Sequence, residues 1–172
     1  MARAPRSTIQ AEIKQSRAFR SARQEATIAL LRTASIVGRG IGRVLEPSRM
    51  STAQYNALRI IRGAGAGGIP TLAIRERMIE EGTTITRLLD KLEESGFIRR
   101  ERTQPDRRQV ICYVTAEGKR LLDRIDEVVD TADEEAMGAL SARQVAQLIA
   151  LLNLVRAHNA ERGAPRTMVR AE

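Results

Sequence analysis

Between Ala22 and Leu45 apolar residues return every three or four positions. Leu30, Ala34, Val37, Ile41 and Val44 stand 4, 3, 4 and 3 apart, an interval that keeps side chains on one stripe of an α-helix and forms a coiled-coil seam. Ser21 and Gln24 have the S-x-x-Q spacing that satisfies the free amides of a helix start, and Pro47 ends the segment. Gly38, Gly40 and Gly42 each cost up to ~1 kcal/mol inside a helix and leave open a close helix crossing or a bend. The preceding residues, 1–20, are basic and poor in large apolar groups, with at most a short helix around Ile9–Ser16.

Ser51 and Gln54 repeat the capping spacing and open a second helix to about Arg62, with Tyr55, Leu58 and Ile61 on one face. Gly63–Gly68 reads as a loop. Pro70 suits the first position of a third helix, which carries Ile74 and Met78. A fourth helix, Thr83–Ser95, has Ile85, Leu88, Leu89 and Leu92 on one stripe and stops at Gly96. The period then shortens. Phe97–Arg102 and Gln109–Val114 predict two strands joined by a turn at residues 103–108, a hairpin. Thr115 caps a fifth helix to about Ala136, with Leu121, Ile125, Val128 and Ala132 in line. Ser141 and Gln144 cap a sixth, lined by Val145, Leu148, Leu152 and Val155.

The expected fold is therefore mainly α, in the α+β sense: a winged helix-turn-helix lobe flanked by N- and C-terminal dimerisation helices. Its parts are a basic extension (1–20), an N-terminal dimerisation helix (21–48), the winged lobe (49–115), C-terminal dimerisation helices (116–160) and a flexible tail (161–172). The stripes on the first, fifth and sixth helices exceed what so small a lobe can cover. A second copy of the chain would bury them, and packing on one another in a monomeric bundle is the competing solution.

Composition narrows the functions. The chain has 172 residues, 42% of them hydrophobic and 29% charged, values of an ordinary folded protein. Two Phe, two Tyr and no Trp leave no ring platform for stacking single-stranded bases. No apolar run approaches the ~18 residues of a membrane span and the basic N-terminus lacks a secretory core, so a cytoplasmic protein without membrane partners is expected. Cys112 and His158 are the only residues of their types. Disulfides, Cys-type zinc sites and Ser-His-Asp chemistry therefore lack parts, and neither enzyme activity, a cofactor nor a metal is expected. Cys112 alternates with Val110 and Val114, as a small core side chain does. His158, near the end of the last helix, has no second ligand and is expected to meet helix carbonyls or solvent. Asp123, Asp126, Glu127, Asp130, Asp133, Glu134 and Glu135 read as a solvated helix face.

The net charge of +8 comes from 29 Lys and Arg against 21 Asp and Glu. It is concentrated at the front: the balance is +7 over residues 1–49, +3 over 50–113 and −2 over 114–172. Residues 99–108 hold five arginines in ten positions. A helix pair followed at once by an arginine-rich hairpin is the organisation of a winged helix-turn-helix, whose second helix enters the major groove of DNA. On the fourth helix the side opposite the apolar stripe carries Thr83, Thr84, Thr86, Arg87 and Lys91, hydroxyls and cations able to meet base edges and phosphates. A solvated helix face can have the same composition. At the hairpin tip Asp106 stands two residues before Arg108, close enough to orient its guanidinium for a narrow minor groove, and Arg107 is placed for phosphate.

These residues resemble the multiple-antibiotic-resistance-regulator (MarR) family of bacterial transcription factors. The resemblance runs from Gln54-Tyr55-x-x-Leu58 through Ile85-Thr86-Arg87-Leu88-Leu89-Asp90-Lys91-Leu92-Glu93, Gly96-Phe97-Ile98 and Arg99-Arg100. It continues in Asp106-Arg107-Arg108 and closes on Val114-Thr115-Ala116-Glu117-Gly118, the family's D-x-R … L-T-x-x-G wing signature with Val for Leu. The turn Ile79-Glu80-Glu81-Gly82 departs from the family's usual Gly followed by Ser. The resemblance implies a homodimer whose terminal helices intertwine and whose two lobes read a pseudo-palindrome in double-stranded DNA. It places Thr84, Thr86 and Arg87 in the major groove and Arg108, oriented by Asp106, at the minor groove. It also implies repression relieved by a small aromatic or phenolic effector bound between the first, second and fifth helices. The alternative is a winged helix used for protein interaction or as a nonspecific architectural DNA binder. Gly63–Gly68 lacks the Lys-Ser/Thr of a phosphate-cradling loop, which weakens an enzymatic reading further.

Overall fold

The computed structural model describes residues 8–79, 84–102 and 109–163. The chain divides into two compact units, Met1–Ala132 and Asp133–Glu172. The first holds helices α1 (Thr8–Glu12), α2 (Ala22–Leu45), α3 (Thr52–Gly63), α4 (Thr71–Arg77) and α5 (Ile85–Glu94), strands β1 (Ile69–Pro70), β2 (Ile98–Arg102) and β3 (Val110–Val114), and most of α6 (Ala116–Met137). The second holds the end of α6 and α7 (Ala142–Gly163). The fold is mainly helical with a small antiparallel sheet, the expected class. Among the described residues no single helix is long and apolar enough to cross a membrane.

Local chemistry accounts for the boundaries. Ser51 Oγ accepts from the Gln54 amide at 3.2 Å while Gln54 Oε1 accepts from the Ser51 amide at 2.9 Å, a complete capping box. At α2 the box is half formed: Ser21 caps Gln24, but the Gln24 side chain reaches past Ser21 to the Arg20 amide at 2.8 Å. Thr115 Oγ1 accepts from the Gly118 amide at 3.0 Å and donates to the Gly96 carbonyl at 2.7 Å, so it caps α6 and ties it to the end of α5. Gly118 is buried there, and a Cβ at that position would collide with the Phe97 carbonyl oxygen.

The core of the lobe lies where α3, α5, α6 and the sheet meet. Leu58, Ile61, Ile74, Leu89, Leu92 and Leu122 are fully buried, each contributing about 1.5–3 kcal/mol through removal from water. Tyr55, Leu58 and Ile61 of α3 and Leu88, Leu89 and Leu92 of α5 face inward as their spacing predicts. On α6 the stripe is shifted. Leu121, Leu122, Ile125 and Val129 are buried, whereas Val128 is 47% exposed, because α6 turns the 122/129 edge toward the lobe.

Three further expectations need correction. The sheet has a third strand, β1, inside a stretch read as loop and helix start. It pairs with β3 through Ile69 opposite Cys112 and Pro70 opposite Ile111, giving the order β1-β3-β2. Pro70, extended at φ −62° and ψ 143°, is therefore the cap of α4 rather than its first helical residue. Helix α5 begins at Ile85, not Thr83, and Thr84 is its cap without a side-chain hydrogen bond. On α2 the expected seam is divided: Ile41 and Val44 pack on the core beside the buried Leu45, and Leu30 and Ala34 stay uncovered within one chain, as a stripe wider than the lobe would. A Cβ at Gly38, Gly40 or Gly42 would meet nothing within 4 Å, so these glycines serve no close crossing among the described residues.

Candidate nucleic-acid interface

Helix α5 has two faces. Leu88, Leu89 and Leu92 fix it to the core, and Thr84, Thr86, Arg87 and Lys91 are exposed. Thr84, Arg87 and Lys91 follow one stripe at helical spacing. Thr86 lies at its edge and lines a cleft of about 510 Å³ shared with Thr71, Arg75, Ile85, Arg100 and Val110, among others. Of the expected contact residues, these four are brought together on one open helix face. Thr83, Asp106, Arg107 and Arg108 lie outside the described residues.

The hairpin behind α5 is set by register. β2 and β3 pair antiparallel with Ile98 opposite Val114, Arg100 opposite Cys112 and Arg102 opposite Val110. Alternation then puts Ile98, Arg100 and Arg102 on one face and Arg99 and Glu101 on the other. On the second face the Arg99 guanidinium lies 4.1 Å from the Tyr113 ring centroid and pairs with Glu101. On the first, Arg100 donates from its backbone N–H to Glu93 Oε1 at 2.9 Å, from Nε to Glu93 Oε2 at 2.8 Å, and from a terminal nitrogen to Asp90 Oδ1 at 2.7 Å. The hydrogen bond to Glu93 is the main cause that holds the Arg100 charge more firmly than usual, with burial opposing it.

Arg100 and Arg75 were not among the residues expected to matter. Asp90, Glu93 and Arg100 all belong to the motif that carries the family resemblance, and their joint presence was the available signal. What the linear pattern lacked was the register that turns Arg100, and not Arg99, toward α5. Cys112 behaves as expected: it is fully buried, 3.9 Å from Thr71 Oγ1, and burial pushes its thiol pKa up, away from the reactive thiolate. His158 is exposed on α7. The acidic face of α6 is not wholly solvated. Asp126 accepts from the Tyr55 hydroxyl at 2.8 Å and from Arg62 at 2.6 Å, and Asp123 lies 3.6 Å from Arg62.

Comparison with known proteins supplies the frame for this geometry. The MarR family model matches residues 50–110, the stretch from the start of α3 to the first residue of β3. Transcriptional regulator HosA of Escherichia coli O157:H7 is 34% identical over 91 residues, which are 53% of this chain and 66% of HosA; the match spans just under two thirds of that relative. A mutant MarR from E. coli, solved in complex with operator DNA, is 25% identical with a TM-score of 0.68, covering 74% of this chain and 90% of that one. The MarR transcription factor of Planctomyces limnophilus is 34% identical with a TM-score of 0.62, over 80% of this chain and 99% of that structure. With nearly the whole of that protein aligned at this identity, and the helix pair, hairpin and third strand in place, the chain belongs to the MarR family.

Proposed function

We propose that the protein is a sequence-specific DNA-binding transcriptional regulator: a homodimeric repressor of a pseudo-palindromic operator, released by a small aromatic or phenolic effector. The observation that carries the reading is the division of α5, whose inner face is locked in the core while Thr84, Thr86, Arg87 and Lys91 stand clear of it. Thr86 and Arg87 read base edges in the major groove, and Lys91 meets phosphate. Thr83 and the arginines of the hairpin tip, Arg107 and Arg108 with Asp106, complete the contact. The complex in which the E. coli relative was solved, with operator DNA, supports this reading.

Dimerisation is supported by the apolar side chains that α2 and α7 leave uncovered, Leu31 at 66% and Leu154 at 68% exposure among them. A two-fold dimer presents its recognition helices about one DNA turn apart, ~34 Å. For the effector, the cleft beside Thr86 differs in place from the expected pocket between the first, second and fifth helices. At about 510 Å³ it has the size of a small-molecule site, and a ligand held there lies against Thr86 and obstructs its approach to the bases.

The test is selection of bound duplexes from a random pool, followed by titration of the selected sequence and a scrambled one. A preference of about 10³ or more is expected, with Arg87→Ala relaxing it at one position of each half-site. Equal affinity for both duplexes overturns the reading in favour of an architectural or protein-interaction module. A uniform loss for Arg87→Ala reduces that residue to backbone contact. Repeating the selection with simple phenolic acids present tests release.

A further inference from the structure

Arg100 is the side chain that ties the hairpin to the recognition helix. Three donors of this one β2 residue close on two carboxylates of α5, Asp90 and Glu93, one helical turn apart. A guanidinium is a rigid planar fork, so gripping two acids fixes an angle as well as a distance. The grouping is also self-neutralised: one cation stands against two anions, and Glu93 spends both oxygens on Arg100. A triad of net charge −1 does not attract phosphate. The Arg100 side chain is 24% exposed, less than either of its partners at 42% and 38%.

We propose that Arg100 is a positioning residue for DNA recognition: through Asp90 and Glu93 it sets the pitch of α5 against the hairpin, so that both meet one duplex in register, and it does not itself contact DNA. The inference rests on the reading of the chain as a DNA-binding regulator. Freed of its two acids, the same arginine becomes an unpaired cation in the cleft beside Thr86. Releasing it therefore adds charge attraction while removing alignment. Affinity for any duplex and preference for the operator then move in opposite directions.

The experiment compares wild type with R100Q, R100K and the D90N/E93Q pair, titrating each with the selected operator and a scrambled duplex. Operator preference falls about tenfold or more in R100Q and in D90N/E93Q, while D90N/E93Q binds scrambled DNA more tightly than wild type and with a steeper salt dependence. R100K, which keeps the charge without the fork, recovers thermal stability but not preference. A mere loss of folded protein scales both affinities alike and leaves their ratio untouched, so the ratio separates positioning from simple stability. Unchanged preference in D90N/E93Q, or full recovery by R100K, overturns the proposal. Cys112 gives a readout that needs no DNA. It is the chain's single cysteine, fully buried and directly opposite Arg100 in the sheet, so R100Q accelerates its labelling by a thiol reagent about tenfold under folded conditions. If wild type prefers no duplex, the functional reading fails, and the labelling rate still decides whether Arg100 holds the hairpin: an unchanged rate sinks it.

Discussion

The Tyr55 side chain of α3 is buried, its hydroxyl donates to Asp126 of α6, and the Arg59 guanidinium lies 5.5 Å from the ring centroid. Burial first, then the hydrogen bond to Asp126, push its pKa from 10.0 up to about 12. The folded state thus holds the phenol proton more tightly than the unfolded chain, and stability from this group is present in full below pH 10. It is lost as pH rises through 12. Tyr55→Phe removes the hydrogen bond at a cost of about 1 kcal/mol near pH 7, and its denaturation midpoint changes less than that of wild type between pH 9 and 12. Denaturant unfolding of both proteins across that range checks the sign; parallel profiles would remove Tyr55 as the source. The sequence showed Tyr55 as one member of an apolar stripe and Asp126 as one acid on a solvated face. The stripe is correct, whereas Asp126 departs from the solvated face: it is half-buried and bonded to both Tyr55 and Arg62. Their meeting was illegible because 71 residues separate the partners and periodicity carries no information across such a gap.

Elements with a strong period were legible, and those whose form depends on a neighbour were not. α2, α3, α6 and α7 stand close to their predicted spans because apolar spacing and caps agree on each, and α5 is placed by its apolar spacing alone. β1 was missed because two residues are too few to show alternation, and it exists only through its pairing with β3. The start of α5 was placed two residues early, since Thr83 and Thr84 look like any first turn. Gly68 shows how β1 is held. Its backbone is left-handed at φ +64°, and a Cβ there would come within 2.5–2.7 Å of the Tyr113 ring and Ile111. Both features require glycine. Gly68→Ala therefore destabilises the lobe by more than about 1 kcal/mol and loosens β1 from the hairpin, seen as faster amide exchange at Ile69. Gly63, in the last turn of α3 with open space around it, is the control: Gly63→Ala leaves stability unchanged or raises it by about 0.4–1 kcal/mol. A silent Gly68→Ala would mean that the close approach of this loop to β3 is not what shapes the hairpin.

At the scale of the whole molecule, the question is what covers the outer helices. α7 runs for 22 residues without one buried side chain among those described. Ile149, Leu151, Leu154 and Val155 are 53%, 61%, 68% and 47% exposed. Val145, Leu148 and Leu152, three of the four residues read as its stripe, are half-buried. Scattered apolar residues on a surface need no explanation, but several on consecutive turns of one helix mark an interaction face. The stripe therefore understated the apolar surface, because a single line of positions cannot show how wide a face a second chain covers. If that chain is another copy, replacing Leu151 and Leu154 by Lys buries two unpaired charges at the interface. The double variant Leu151→Lys/Leu154→Lys is then a monomer by light scattering at concentrations where wild type is a dimer. It also loses affinity for the full operator far more than for a single half-site, since only the dimer links the two binding events. If α7 instead faces water in the functional protein, the same two lysines are neutral or favourable, and mass and operator affinity stay at their wild-type values. A monomeric wild type at micromolar concentration decides against the pairing at once, because the operator model needs two recognition helices held one turn of DNA apart.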